Sequence, residues 1–222
     1  DLATQSAGAV AFGIYPTSSA EQVQHMCTDS KSRYLFVEDE EQLDKFLEVR
    51  DQLPNIHKVF VFDMDGLEDL DDPQVVPFKD LVEAGSNASD LRASLEERIA
   101  GRRSEDNSIL IYTSGTTGAP KASMLTHANI VAAIRNLCEF LPKVSNGERV
   151  AFLPLCHAAE RILGCYCALF SGDVLNFVED PDTVFENMRE VQPDVFIAVP
   201  RVWEKLYSSV SIALREATPI QR

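Results

Sequence analysis

The sequence has no stretch of about 18 consecutive apolar residues, the length a helix needs to cross a bilayer, so no transmembrane segment is expected. Basic residues are scarce: 20 Lys and Arg stand against 35 Asp and Glu, a net charge of −15 at pH 7. That surplus of acid repels phosphates and argues against nucleic acid and anionic membrane surfaces as general partners. It leaves room for a local phosphate site built from backbone N–H groups and one lysine. Cysteines are few and odd in number, five in all, and no C-x-x-C occurs. Without a secretory signal this excludes a disulfide framework. Cys165 and Cys167 flank Tyr166 in the apolar run ILGCYCALF, and the spacing of Cys156, His157, Cys165 and Cys167 matches no common zinc site. No metal site is expected, and the cysteines read as buried thiols of a reducing, cytoplasmic protein. The opening DLATQSAGAVAFGIYP lacks both an initiating Met and a positive n-region, so it reads as neither a signal peptide nor a natural start. There is no fixed-period repeat and no low-complexity tract.

What is present is an α/β pattern. With 222 residues and 45% hydrophobic content, the chain can bury a sizeable core. Residues 1–63 read β-α-β-α-β. The small apolar run Ala7 to Tyr15 leads, Ser19 caps a helix over Ala20 to Asp29, and Tyr34 to Val37 is a strand. A helical spacing follows from Glu40 to Leu53, then a strand from Lys58 to Phe62. Residues 64–107 are acidic and broken by Gly and Pro, and read as a connector carrying one helix over Ala88 to Ala100. Residues 108–222 again alternate. A strand is expected over Ser108 to Thr113, a return strand over Ala122 to Leu125, and a Thr126-capped helix over His127 to Leu141. Then come a strand over Arg149 to Leu155, a helix over Ala158 to Phe170, and a strand over Val174 to Val178. A helix capped by Asp182 and ending at Val191, a strand over Val195 to Val199 and a helix over Val202 to Glu216 complete the pattern. Alternation of this kind implies parallel-rich sheets flanked by helices.

The most informative segment is Tyr112-Thr113-Ser114-Gly115-Thr116-Thr117-Gly118-Ala119-Pro120-Lys121. Two glycines free the backbone for a tight turn with converging N–H groups. Thr113, Ser114, Thr116 and Thr117 offer short hydroxyl donors, and Lys121 supplies the charge that polyphosphate needs. The string is not a Walker A loop, because the glycines are too close together and Ala122, not Ser or Thr, follows the lysine.

TSGTTGAPK resembles the signature loop of the adenylate-forming superfamily, which includes acyl-CoA synthetases, luciferases and adenylation domains. Met124-Leu125-Thr126-His127 is similar to the continuation of that loop into a helix. Leu153-Pro154-Leu155-Cys156-His157-Ala158-Ala159-Glu160-Arg161 resembles the P-L-x-H-x-x-E-R form of long-chain fatty acyl-CoA synthetases. Phe185 to Pro193, Val199 to Tyr207 and Gly13 to Ser19 are similar to segments of the same subfamily, so the likeness covers nearly the whole chain.

The resemblance implies part of the N-terminal domain of the adenylate-forming fold and a ligase working in two half-reactions. A fatty carboxylate attacks the α-phosphorus of ATP, giving acyl-adenylate and pyrophosphate, and the CoA thiol then displaces AMP. ATP, Mg2+ and CoA (as substrate) are the implied cofactors, with a long-chain fatty acid as the other substrate. By the same likeness Thr113, Ser114, Gly115, Thr116, Thr117, Gly118 and Lys121 hold the β- and γ-phosphates, with Lys121 and Thr117 the catalytic pair. His157 and Trp203 are substrate-binding candidates, His157 at the mouth of an acyl site and Trp203 either lining it or packing. Glu160 and Arg161 read as an ion pair positioning their helix. One departure is Ala122, where the family usually has Gly.

The family's G-Y-G-x-T-E segment, its T-G-D segment and its lysine-bearing C-terminal domain are not found in these residues. The expectation is therefore an internal piece of a longer synthetase, inactive alone and completed by further parts of the same polypeptide. Peripheral membrane association of the whole enzyme stays open, because long acyl substrates partition into bilayers. Two alternatives accompany this reading. Val59-Phe60-Val61-Phe62-Asp63-Met64-Asp65-Gly66 has the D-x-D-G form of haloacid-dehalogenase-type phosphatases, with Asp63 as nucleophile and Asp65 as acid/base. The other is a non-catalytic acyl- or nucleotide-binding relative.

Overall fold

A computed structural model describes residues 1–88, 90–113, 119–140 and 146–216. The chain packs as two units, one of residues 1–132 with 154–157 and the other of residues 133–153 with 158–222.

In the first unit, helix α1 (Leu2–Ser6) and strand β1 (Ala11–Phe12) precede helix α2 (Ala20–Asp29). A reciprocal cap starts α2: the Gln22 N–H donates to Ser19 Oγ (3.3 Å), and the Ser19 N–H donates to Gln22 Oε1 (3.1 Å). Strand β2 (Tyr34–Val37), helix α3 (Glu40–Val49) and strand β3 (Lys58–Val61) follow. Asp39 starts α3 by accepting the Gln42 N–H at 3.0 Å. Leu43, Phe46 and Val49, spaced three apart, turn one face of α3 inward. They meet Val23 and Cys27 of α2 and the inward residues Val37, Val59 and Val61 of the sheet, forming the main core. Phe46, Leu43, Val59 and Val61 are fully buried there, each contributing roughly 1.5–3 kcal/mol of transfer free energy.

Strand β4 (Val75–Pro77) pairs parallel with β3, giving a sheet of order β2-β3-β4. This corrects the expectation of a plain connector over 64–107. The Val75-Val76 pair is β-branched and extends in front of Pro77, which the prolines and acidic neighbours hide in the sequence. Pro77 then opens helix α4 (Phe78–Asn87), a start signal that reads in isolation as a break. Helix α5 (Leu91–Ala100) holds most of the helix expected from Ala88.

Strand β5 (Asn107–Thr113) and strand β6 (Lys121–Thr126) form an antiparallel hairpin, and β1 pairs parallel with β5, in the order β1-β5-β6. The β-α-β-α-β order expected over 1–63 is present, but its three strands do not share one sheet, because β1 does not join β2 and β3. It is two residues long and sits on β5, where the Phe12 ring lies 5.2 Å from that of Tyr112. Helix α6 (His127–Phe140) follows β6 directly. Thr126 and Asn129 cap it reciprocally, the Asn129 N–H donating to Thr126 Oγ1 (3.2 Å) and the Thr126 N–H to Asn129 Oδ1 (3.1 Å).

In the second unit, strand β7 (Glu148–Ala151) pairs parallel with strand β8 (Val174–Phe177). Between them a π-helix (Ala159–Tyr166) runs into helix α7 (Cys167–Ser171), which Gly172 ends in the left-handed conformation. Helix α8 (Val184–Val191) and helix α9 (Pro200–Glu216) follow. Val150, Phe152 and Val184 form the core, with Phe196 stacked on Phe152 at 5.5 Å.

Three expectations are corrected in this unit. The strand from Arg149 begins at Glu148 and stops at Ala151. Val195 to Val199 is not a strand: only Val195 bridges to Arg149. Asp194 and Val195 both direct N–H groups at the Glu148 carbonyl, after which Phe196 turns onto Phe152 and Pro200 opens α9. Asp182 is not the cap before α8. Asp180 accepts the Asp182 N–H at 2.9 Å and starts a 3-10 turn, while the Asp182 carboxylate faces Lys205 at 3.2 Å.

Candidate functional site

The β5–β6 register sets the geometry of the site. Ser108 and Ile109 of β5 are both buried, and Thr113 is exposed at its end. Thr113 is the register partner of Lys121, the first residue of β6, so the two ends of the TSGTTGAPK string stand side by side. Ser114, Gly115, Thr116, Thr117 and Gly118 lie outside the described residues. Ala122 pairs with Tyr112 within the ladder. It is not among the residues of positive φ, so its methyl group meets no backbone strain.

Beside this pair lies an open cleft of about 660 Å3, lined by His25, Asp29, Tyr112, Pro120, Lys121 and Met124 among others. The Tyr112 hydroxyl donates to Asp29 Oδ2 at 2.8 Å and lies 3.2 Å from the Met26 carbonyl. Burial, followed by the hydrogen bond to the Asp29 carboxylate, pushes the Tyr112 phenol well above its ordinary pKa. His25 Nε2 lies 2.9 Å from the Pro120 carbonyl, next to Lys121. Sequence reasoning missed His25 and Asp29, because their partners are 95 and 83 positions away and no local pattern links them.

His157 is exposed in the turn Pro154–His157, its N–H donating to the Pro154 carbonyl at 2.8 Å. It belongs to the first unit. Trp203 belongs to the second, on α9. Its indole N–H donates to the Ala198 carbonyl at 3.3 Å and its ring stands edge-on to Phe196 at 5.5 Å.

The second unit also holds a mostly apolar cavity of about 250 Å3, lined by Val150, Leu153, Leu163, Gly164, Ile197 and Glu160 among others. Glu160 is buried and accepts the backbone N–H groups of Phe152 (3.3 Å) and Leu153 (3.1 Å). Buried Arg161 donates from Nε to the Tyr166 hydroxyl at 3.2 Å. Both side chains thus anchor the π-helix from within.

Asp63 and Asp65 are exposed, and Asp63 Oδ1 accepts the Asp65 N–H at 3.0 Å, an Asx-turn that accounts for the spacing without chemistry. The five cysteines are free thiols. Cys27 and Cys167 are buried, whereas Cys138, Cys156 and Cys165 are only partly so, which corrects the uniform expectation of buried thiols. Among the described residues no group of three His, Cys, Asp or Glu is placed to hold a metal ion. No helix among the described residues is long and apolar enough to cross a membrane.

The chain belongs to the AMP-binding enzyme family, whose profile matches residues 1–220. It is 36% identical over 211 residues to the long-chain-fatty-acid–CoA ligase FadD15 of Mycobacterium bovis, a match covering 94% of this chain and 33% of that protein. It is 32% identical over 230 residues to the long-chain-fatty-acid–CoA ligase ACSBG2 of Xenopus laevis, covering 100% of this chain and 30% of that one. The chain thus spans about a third of the length of the curated relatives it matches. Among solved structures, the fold is similar to the A domain of carboxylic acid reductase from Segniliparus rugosus (TM-score 0.66, 23% identity, 96% of this chain and 37% of that one). It is also similar to apo MatB from Rhodopseudomonas palustris (TM-score 0.66, 21% identity, 92% of this chain and 37% of that one).

Proposed function

We propose that these residues form the nucleotide-phosphate portion of an ATP-dependent long-chain fatty acid–CoA ligase. The observation that carries the reading is the pairing of Thr113 with Lys121 across the β5–β6 ladder. It sets a hydroxyl and a cation at the two ends of a string of glycines and hydroxyls, a composition suited to the oxygens of a polyphosphate. Membership of the AMP-binding enzyme family and the names of the relatives support the same chemistry.

In the proposed reaction a fatty carboxylate attacks the α-phosphorus of ATP and pyrophosphate leaves. The CoA thiol then attacks the acyl carbon and AMP leaves. Charge builds on the phosphates in the first step, so fixed donors aimed there lower its barrier. Lys121 is assigned that role, with Thr117 beside it and Thr113, Ser114, Gly115, Thr116 and Gly118 as further donors. His157 and Trp203 are assigned to the acyl side. Long acyl substrates partition into bilayers, which supports peripheral membrane association of the whole ligase through its apolar substrate.

ATP–pyrophosphate exchange dependent on a long-chain fatty acid is the test. The full-length polypeptide carrying these residues is expected to exchange, the Lys121→Ala variant to lose exchange, and the 222 residues alone to show none. Exchange in the Lys121→Ala variant equal to wild type would remove Lys121 from the site. Turnover of a phosphomonoester that depends on Asp63, without exchange, would replace the ligase reading by the phosphatase one.

A further inference from the structure

We propose that helix α2 braces the nucleotide site, with His25 and Asp29 as positioning residues that set Thr113 and Lys121 against the phosphates of ATP. The inference rests on the ligase reading and adds two residues that the signature string does not contain. His25 and Asp29 are four apart on α2 and therefore share one helix face. That face reaches both stems of the hairpin. On the β5 side, the Tyr112 hydroxyl, one residue before Thr113, donates to Asp29 at 2.8 Å and lies against the Met26 carbonyl. On the β6 side, the Pro120 carbonyl, one residue before Lys121, lies 2.9 Å from His25 Nε2. A carbonyl only accepts, so Nε2 is the protonated nitrogen.

These ties fall where the ladder gives least support. Among the described residues Thr113 and Lys121 are its last register pair and β6 is an edge strand of its sheet. Pro120 has no N–H to extend the pairing. β1 pairs with β5 only at Ile109 and Leu110, so at Thr113 and Lys121 the sheet is two strands wide, and a two-stranded end is marginal without outside support. Helix α2 is a rigid support: Val23, Met26 and Cys27 are buried, and its first turn is fixed by the Ser19–Gln22 cap. A lysine and a threonine held in place before ATP arrives stabilise developing charge without reorganising, whereas an unbraced pair must be ordered by the nucleotide itself. Losing the brace should therefore weaken the use of ATP and leave the use of fatty acid unchanged.

The test is steady-state acyl-adenylate formation by the full-length polypeptide, with KM for MgATP and for fatty acid measured separately and thermal unfolding run alongside. His25→Phe keeps a ring and removes the donor, and His25→Gln restores a donor near the same point. The expected result for His25→Phe is a rise of about three- to tenfold in KM for MgATP, the worth of one net hydrogen bond, with KM for fatty acid unchanged and recovery in His25→Gln. Asp29 is exposed, so Asp29→Ala asks the same question without threatening the fold, and should also raise KM for MgATP alone. An active wild type with both variants unchanged in KM for MgATP overturns the brace and leaves the ligase reading standing. So does an equal rise in both KM values that His25→Gln fails to reverse. A folded wild type that makes no acyl-adenylate overturns the ligase reading and the brace together.

Discussion

Gly13 rests directly on the backbone of Cys156: a Cβ built on Gly13 would stand 2.6 Å from both Cys156 Cα and Cβ. The contact joins the extended Gly13-Ile14-Tyr15 segment to the Leu155-Cys156-His157 turn inside one unit, across more than half the sequence. Backbone on the far side cannot rotate away as a flexible side chain would, so a methyl group must push the two segments apart. Gly13→Ala is expected to destabilise by about 1–3 kcal/mol, read as a lower unfolding midpoint. Gly85→Ala is the control, since Gly85 lies within α4 and has nothing within 4 Å of its would-be Cβ. That change should be neutral or stabilise by up to about 1 kcal/mol. Equal effects of the two substitutions would show that the Gly13–Cys156 contact carries no energy.

Phe46 is fully buried between α2, α3 and the β2-β3-β4 sheet. Phe46→Ala removes most of a ring from a site closed on every side, and the cavity left adds to the lost transfer energy. The expected cost is about 3–5 kcal/mol, measured by urea unfolding. Phe46→Leu keeps most of the volume and should cost well under half of that. A cost for Phe46→Ala below about 1 kcal/mol would mean that this core does not hold the first unit together.

Much of the chain was legible because it depends on neighbours in sequence. Ser19 with Gln22, Thr126 with Asn129, the apolar runs of β2 and β3, and the return of β6 on β5 all work over a few residues, and local chemistry fixes each. What stayed hidden depends on separation. The Ala11–Phe12 pair is too short to announce which strand it joins, and Ile109 and Leu110, almost a hundred residues on, decide it. Val75-Val76 looked like part of an acidic connector because a two-residue β-branched core is weak beside its prolines. The candidate site divided the same way. The string itself offers Thr113 and Lys121 as candidates, while His25 and Asp29 become candidates only through helix α2 meeting the hairpin. Val195 to Val199 had the composition of a strand, but packing of Phe196 on Phe152 draws it out of the ladder.

Lys121 is exposed at the start of β6, opposite Thr113. Its role in the proposed reaction is electrostatic, so its removal should slow formation of the adenylate far more than it perturbs folding. In the full-length polypeptide, Lys121→Ala is expected to lower acyl-adenylate formation by about a hundredfold or more, with an unfolding midpoint close to wild type. Lys121→Arg keeps the charge on a differently shaped donor and should fall between the two. Pyrophosphate exchange and thermal unfolding on the same preparations separate the outcomes. A drop in rate that tracks a drop in unfolding midpoint would make the lysine structural.

Asp173 and Arg149 form a buried pair, Oδ2 to Nε at 2.5 Å, and Asp173 also accepts the Gly147 N–H at 3.2 Å. Burial alone pushes the Asp173 carboxyl up, but hydrogen bonds from Arg149 and Ser171 and the guanidinium charge outweigh it. Its pKa ends below the ordinary aspartate value. A folded-state pKa below the unfolded one gives stability that is fully present above the unfolded value of about 3.9. That stability is lost as pH falls through the folded value. Asp173→Asn leaves the guanidinium buried without its counter-charge, and at pH 7 it is expected to cost about 3–5 kcal/mol. The difference between wild type and variant should narrow as pH falls below about 4, because protonation deprives the wild type of the same charge. Urea unfolding at pH 7 and pH 3 measures both quantities. A difference that stays constant over that range would assign the cost to lost packing and not to the ion pair.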